Sequence, residues 1–479
     1  MRSYLRENLS HDPIHGYIPF TSSVELEAGE VSERQIVDHP WVQRLRYIHQ
    51  LQTAWWVYPT AEHTRFPHVV GAMHLGSRAA AAFYDSLREV CPDCPSRGYV
   101  ETLLRMAGLL HDVGHGPFGH FFDEHFLKSH GQTHETIGAV IIRDVLGDQL
   151  SRVRRNPNSA LAAGERLDPA QVAWLIQRPG RTGFQPVPQR QVGNLSYEDA
   201  PRWLVFLRSL LSGIYTIDNM DFVLRDAFMS GYSQRAFDLE RLLHYSFFSP
   251  QGLTIHDKGA GTLLQFINVR AELFRTIYFH RTVRAIDLAL KDLFIASRRH
   301  LLPGNPLEHL DDYLHFTESS LLVDVQRWAK SSDPELASLG RAWRELIARQ
   351  IPWVAVCQRS LLFAKDDAEQ ASIFSDAALV ELKLRQLLSA ELRDVPLRVD
   401  LARTIFRPHT TGPAAGQNFL YDSARNVVRP LTADEFYNRL PMSHRICRVY
   451  AQNAEHAAVI SAALDQLLGP GGADDVTNM

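Results

Sequence analysis

The sequence predicts a mainly α-helical fold, with a helical core over residues 1–300 and a smaller α+β lobe over 301–468. Two observations predict it. Apolar residues recur at helical spacing through most of the first 300 positions. Short β-branched stretches are few and fall mainly in the second part of the chain. With 479 residues, 45% of them hydrophobic, the chain has material for two or three structural units and a large buried core.

Each element has its own signal. Residues 36–52 mix apolar and charged side chains at helical intervals. Residues 69–90 form an Ala-rich helical run that ends at Cys91-Pro92-Asp93-Cys94. This lone CxxC lacks the second pair that a structural zinc site needs, so it reads as a turn between helices. Residues 100–111 carry apolar side chains at helical spacing, and 134–150 form an amphipathic run that Thr133 is placed to cap. Residues 203–228 and 263–293 are long helical candidates. Residues 254–256, 396–404 and 446–452 read as strands of a small accessory sheet. The Pro-, Gly- and Gln-rich residues 178–194 predict a surface loop, and 469–479 a disordered tail.

Composition narrows the function. The net charge is −4, so no global basic field marks the chain as a nucleic-acid binder, although local patches leave that partner open. The first residues lack the apolar run of a secretory signal. No run of about 18 uncharged apolar residues exists, so no membrane span is expected. Four cysteines (Cys91, Cys94, Cys357 and Cys447) are too few for a disulfide framework at this length, and a cytoplasmic location follows as the expectation.

The chemistry concentrates in Leu110-His111-Asp112-Val113-Gly114-His115-Gly116-Pro117-Phe118-Gly119-His120. Three histidines and an aspartate crowd ten positions after an apolar helix, with Asp123 three residues further on and His134-Glu135 opening the next helix. Imidazole and carboxylate together suit Mn, Fe, Co, Ni, Zn or Mg. Gly114, Gly116 and Gly119 let the backbone turn sharply and stay close to a ligand. Such a cluster calls for a site rather than a solvated loop. Further ligands must come from distant segments, and His68 and Asp218 sit in segments with the right residue types.

Taken together, these segments resemble the HD-domain phosphohydrolases, and among them the deoxynucleoside triphosphate triphosphohydrolases. The resemblance spans roughly residues 9–290 and returns weakly near Arg448-Val449-Tyr450. It runs from Asp12-Pro13-Ile14-His15-Gly16 through Gln43-Arg44-Leu45-Arg46-Tyr47-Ile48, Arg65-Phe66, the His111–His120 block and Thr133-His134-Glu135 to the Asp218 segment with Arg225-Asp226. No sterile-alpha-motif domain, as in the animal relative, is expected upstream. The resemblance implies a helical core holding one divalent metal ion between His68, His111, Asp112 and Asp218. It implies that His115, His120, Asp123, His134 and Glu135 surround the scissile phosphate. In that family water attacks the α-phosphorus and releases nucleoside and intact triphosphate. Arg65 and Arg270 resemble phosphate-contacting positions. Gln50, Leu51, Asn219, Asp226 and Tyr278 resemble positions around phosphate, sugar and base. Asp38, Gln43 and Arg46 resemble positions that read an activating nucleotide at a subunit contact, which implies a homo-oligomer, dimer or tetramer.

The chain departs from the family pattern in the substrate shell. Asn219 stands where Lys is frequent, Phe222 where Tyr is, Phe274 where His is, and Asn8 where a phosphate-binding Lys is expected. The metal set is complete. Hydrolysis of a dNTP is therefore the leading expectation. The alternatives are another nucleotide or phosphoester (monophosphate, cyclic or modified), a nucleotide- or nucleic-acid-binding protein with weak catalysis, and a di-iron oxygenase.

Overall fold

The computed structural model describes residues 4–177, 200–363, 372–406 and 418–468. The loop expected over 178–194 and the tail expected over 469–479 lie outside the described residues. Helices dominate what is described, with a few small sheets.

Two long helices, Arg65–Val90 and Arg97–Leu110, pack against each other at the centre of the main core. Their crossing is unusually close. A Cβ on Gly108 would stand 2.6 Å from the carbonyl oxygen of Ala72, and one on Gly76 would stand 2.8 Å from the backbone of Leu104. The crossing sets His68, near the start of one helix, beside His111, which caps the end of the other. The turn expected at Cys91–Cys94 is present: Cys94 N–H donates to the Cys91 carbonyl at 3.0 Å, and both thiols are free and buried.

Four expected long helices are interrupted. The run 36–52 breaks because Pro40 has no amide hydrogen and holds His39 extended (φ −64°, ψ 139°). It becomes Glu33–Val37, Pro40–Gln43 and a 3-10 turn, Arg44–Tyr47. The run 134–150 starts at His134–Val140, capped by Thr133 as expected, then passes through a π-helical turn, Ile141–Val145, into Gly147–Ser151. The run 203–228 splits into Arg202–Arg208 and Ile217–Met229. The run 263–293 becomes Asp257–Leu273, a π-helical turn Phe274–Tyr278, and Arg281–Leu301.

The three expected strands are present as Gly252–His256, Leu397–Ile405 and Ser443–Ala451. Ser443–Ala451 is the centre of an antiparallel three-stranded sheet, between Val354–Phe363 and Leu397–Ile405, and every residue of it is buried. Gly252–His256 pairs with Ser246–Ser249 and, in parallel, with Asn418–Asp422, which pairs with Val427–Pro430. An N-terminal hairpin, Glu7–Asp12 and Gly16–Thr21, was not anticipated from the sequence.

The described residues form two hydrophobic cores. The first takes in the helices up to Arg281–Leu301, then Tyr313, Leu321, Val325, Trp343 and Leu346, and again Leu420, Leu431 and Tyr437. The second is built from Cys357, Val380, Leu384, Leu397, Cys447, Val449 and Leu464 among others. No helix among the described residues is long and apolar enough to cross a membrane.

Candidate functional site

Three elements converge on one point. His68 comes from the first turns of Arg65–Val90, whereas His111 and Asp112 follow directly on Arg97–Leu110. Asp218 sits in the first turn of Ile217–Met229, whose N-terminus is fixed by the Thr216 hydroxyl accepting from Asn219 N–H at 3.0 Å. His68 Nε2 lies 3.1 Å from His111 Nε2 and 3.2 Å from Asp218 Oδ1. His111 Nε2 is 3.4 Å from Asp112 Oδ1 and 3.5 Å from Asp218 Oδ1.

The donor set fits a divalent cation. His111 Nδ1 donates to the Gly108 carbonyl at 2.8 Å, and His68 Nδ1 donates to Asp221 Oδ2 at 2.8 Å. A proton held on Nδ1 leaves the lone pair on Nε2. Two such lone pairs then face each other between two carboxylates, an arrangement that a cation satisfies. The same carboxylates act electrostatically on the imidazoles. Burial alone would lower His68, but its hydrogen bonds to Asp218 and Asp221 outweigh it and push it up to about 10. Burial would raise Asp218, yet its contacts with His111 and His68 hold it far below the usual carboxylate range.

A second cluster, His115, His120, Asp123 and His134, lies beside the first. Phe118 and Gly119, both with positive φ (59° and 56°), turn the chain back between them. A Cβ on Gly119 would stand 2.2 Å from Arg65 Nη2, so this glycine makes room for a guanidinium that donates to Asp112 Oδ2 at 2.6 Å. His115 is fully buried and stacks on His134, ring centroids 3.7 Å apart. Burial, then the charges of Arg65 and His134, hold His115 well below its ordinary value and therefore neutral. Asp123 Oδ2 accepts from His134 Nδ1 and, at 3.3 Å, from His120 Nδ1. Burial would lower His134, but the Asp123 charge overrides it and raises it; in return the His134 charge depresses Asp123 against its own burial. The backbone of this loop is held from outside: Arg44 Nη1 donates to the His115 carbonyl at 2.5 Å and Tyr313 Oη to the Gly114 carbonyl at 2.8 Å.

Both clusters open on a cavity of about 320 Å³. Of the sequence-predicted residues, Gln50, Leu51, Arg65, His111, Asp112, His120, His134, Glu135, Asp218 and Tyr278 line it. Asp226 and Arg270 do not. Asp226 is buried and accepts from His63 Nε2 at 2.7 Å and from the Tyr278 hydroxyl. Arg270 is buried and donates to the carbonyls of Ile214 (3.4 Å) and Ile405 (3.2 Å). Asn219 also lies outside the lining. Phe222 and Phe274 do line the cavity, joined by Phe279. Asp38, Gln43 and Arg46 lie elsewhere. Asp38 accepts from Arg34 Nε at 3.2 Å, while Arg46 donates to Gln43 Oε1 at 2.7 Å and covers the Phe66 ring.

Sequence reasoning missed Asp221, His15, His63 and Arg44 behind the site, and Gln52, Arg284 and Asp287 in its wall. Asp221 had one usable signal, its position three residues after Asp218, where a helix turns it toward the same side.

Comparison with known proteins agrees with this geometry. Residues 65–174 match the HD domain. The chain is 24% identical to Deoxynucleoside triphosphate triphosphohydrolase SAMHD1 of Bos taurus, over 94% of this chain and 76% of that one. The Homo sapiens protein of the same name is also 24% identical, over 94% of this chain and 71% of its own length. Uncharacterized protein YwfO of Bacillus subtilis is 26% identical, over 72% of this chain and 71% of that one. The chain thus matches the HD domain over residues 65–174 and is similar over nearly its whole length to deoxynucleoside triphosphate triphosphohydrolases.

Proposed function

We propose that the protein is a metal-dependent phosphohydrolase that cleaves a dNTP into deoxynucleoside and triphosphate. The observation that carries this reading is the juxtaposition of His68, His111, Asp112 and Asp218 with the His115–His120–Asp123–His134 cluster at one cavity. His68, His111, Asp112 and Asp218 would hold one divalent ion. When bound, it supplies Lewis acidity at a phosphoryl oxygen and eases deprotonation of water.

The chain's own groups do the rest. Arg65 presents a guanidinium at the cavity wall, suited to phosphate oxygens. His120 is turned by Asp123 through Nδ1, which leaves Nε2 to deliver a proton to the leaving oxygen. Asp123 also fixes His134 through Nδ1, and His134 Nε2 lies 3.9 Å from Glu135 Oε1. His134, Glu135 and the stacked, neutral His115 complete the proton relay. Gln50, Leu51 and Tyr278 shape the space for sugar and base. Asp226 acts on it through Tyr278, and Asn219 and Arg270 reach it only if substrate draws them in.

One observation favours a second reading. Phe222, Phe274 and Phe279 make part of the cavity wall apolar. A monophosphate or another phosphoester places less charge against such a wall. The deciding experiment is a metal-supplemented panel of dNTPs, NTPs, monophosphates and cyclic nucleotides, read by product chromatography against Asp218→Ala. Triphosphate and deoxynucleoside, absent in the variant, establish the first reading; turnover of monophosphates alone establishes the second.

The wider reading is a cytoplasmic homo-oligomer, consistent with four free cysteines. Asp38, Gln43 and Arg46 are its candidate contacts to an activating nucleotide. A monomeric mass unchanged by GTP or dNTP removes that part.

A further inference from the structure

Behind His68 lies a group of buried charges that the proposed reaction does not use. Asp221 is fully buried on the helix Ile217–Met229. Its Oδ2 accepts from His68 Nδ1 at 2.8 Å and from Arg225 Nε at 2.9 Å. Its Oδ1 accepts from His15 Nε2 at 2.7 Å and from Arg225 Nη2 at 2.9 Å. Arg225 Nη1 continues to Asp12 Oδ2 at 2.8 Å. Asp12 Oδ1 in turn accepts the backbone N–H groups of Ile14 and His15, each at 2.9 Å. The turn of the N-terminal hairpin is therefore shaped by the same network that ends on His68. The helix carrying His68 leaves space for it, since a Cβ on Gly71 would stand 1.9 Å from Asp221 Oδ1.

A purely structural carboxylate here would need only Arg225, which already pairs with it through two nitrogens. The additional contact to His68 Nδ1 has a specific consequence. It keeps the proton on Nδ1 and sets the ring plane, so that the Nε2 lone pair points at His111, Asp112 and Asp218. His111 obtains the same result from the Gly108 carbonyl, without a charge.

We propose that Asp221 is the positioning residue of the metal centre, fixing the tautomer and orientation of His68, and that His15 ties the N-terminal hairpin to that function. This rests on the reading of His68 as a metal ligand. Carboxylates in this position generally change metal affinity 10–100-fold when removed.

The test is Mn²⁺ binding to the full chain by calorimetry, with thermal unfolding of the metal-free protein as control. Asp221→Asn keeps size and loses charge. It is expected to bind Mn²⁺ about 10–100-fold more weakly, and its Co²⁺-loaded visible spectrum is expected to shift. His15→Ala is expected to weaken binding about threefold or more, while His15→Gln, which keeps a donor near Nε2, restores it. A folded Asp221→Asn that binds Mn²⁺ like wild type, with an unchanged Co²⁺ spectrum, overturns the proposal. If Asp221→Asn does not fold, the His15 pair decides: wild-type affinity in His15→Ala overturns it. Wild-type protein that binds no Mn²⁺ overturns the metal reading itself, and this one with it.

Discussion

His120 exposes about two-thirds of its side chain at the cavity, while His115 and His134 are buried beside it. An exposed ring anchored on one nitrogen is placed to exchange protons with substrate; the buried pair is placed to steady it. Replacing His120 with Ala is expected to lower kcat about 10²–10⁴-fold with metal content unchanged, as measured by steady-state kinetics and elemental analysis. Full turnover would transfer the acid role to another group. Asp218→Ala removes a carboxylate from the metal set instead, so both metal content and turnover are expected to fall. Another residue reports on pH. His49 Nδ1 lies 2.9 Å from Glu318 Oε1, its Nε2 lies 3.6 Å from Glu62 Oε2, and its ring stacks on Trp55. Burial would lower His49, but Glu318 and Glu62 outweigh it and raise it above its ordinary 6.5. A folded-state pKa above the unfolded one means stabilisation that is complete below pH 6.5 and lost as pH rises through the folded value. Wild type is therefore expected to lose stability relative to His49→Gln as pH rises above 6.5. Parallel urea-midpoint curves for the two proteins would refute this.

The paired helices Arg65–Val90 and Arg97–Leu110 define the site at the scale of elements. Gly108→Ala drives a methyl group against the Ala72 carbonyl and must separate them. The expected cost is about 1–3 kcal/mol in a denaturation measurement. The metal affinity should fall as well, because His68 and His111 ride on opposite sides of the crossing. Both helices were legible in the sequence, since each buries a long apolar stripe at an unbroken period. That His68, His111, Asp112 and Asp218 meet at one point was legible only through the resemblance to a family, since His68 and Asp218 taken singly carry no local signal of it. Helix breaks were not legible. A π-helical turn such as Phe274–Tyr278 shifts the register by one residue while apolar side chains continue, so periodicity carries across it. Asp221 and His15 were hidden for a related reason. Their roles depend on contacts across 153 positions (His68 to Asp221) and 206 positions (His15 to Asp221), and the spacing of Asp221 from Asp218 gives a helix side but not a partner.

At the scale of the whole molecule, the two hydrophobic cores bear on where the chain divides. Tyr313, Trp343 and Leu346 belong to the first core, and Tyr313 supports the Gly114 carbonyl directly. We propose that the first unit runs to about residue 350 and takes the chain back at Leu420, Leu431 and Tyr437, while the second core, from Cys357 onward, forms a smaller lobe. The two cores meet at Arg284. It lines the cavity from the helix Arg281–Leu301 and forks onto Asp400 of the strand Leu397–Ile405, with Nη2–Oδ1 at 2.6 Å and Nε–Oδ2 at 3.1 Å. Its Nη1 donates to Asp287 Oδ2 at 3.0 Å, and Asp287 Oδ1 accepts from Thr53 Oγ1 at 2.5 Å and Gln52 Nε2 at 3.0 Å. One wall of the cavity is thus clamped by a carboxylate from the second lobe. Asp400 is buried, whereas Arg284 keeps about a quarter of its side chain exposed, so solvent screens part of the loss when the pair is broken. Asp400→Ala frees Arg284 to move within the cavity without touching the metal set. KM is expected to rise with metal content unchanged. A double-mutant cycle of Arg284→Ala and Asp400→Ala should give a coupling of about 0.5–3 kcal/mol in stability. Additive effects on stability, together with an unchanged KM, would mean that the second lobe only abuts the cavity and does not shape it.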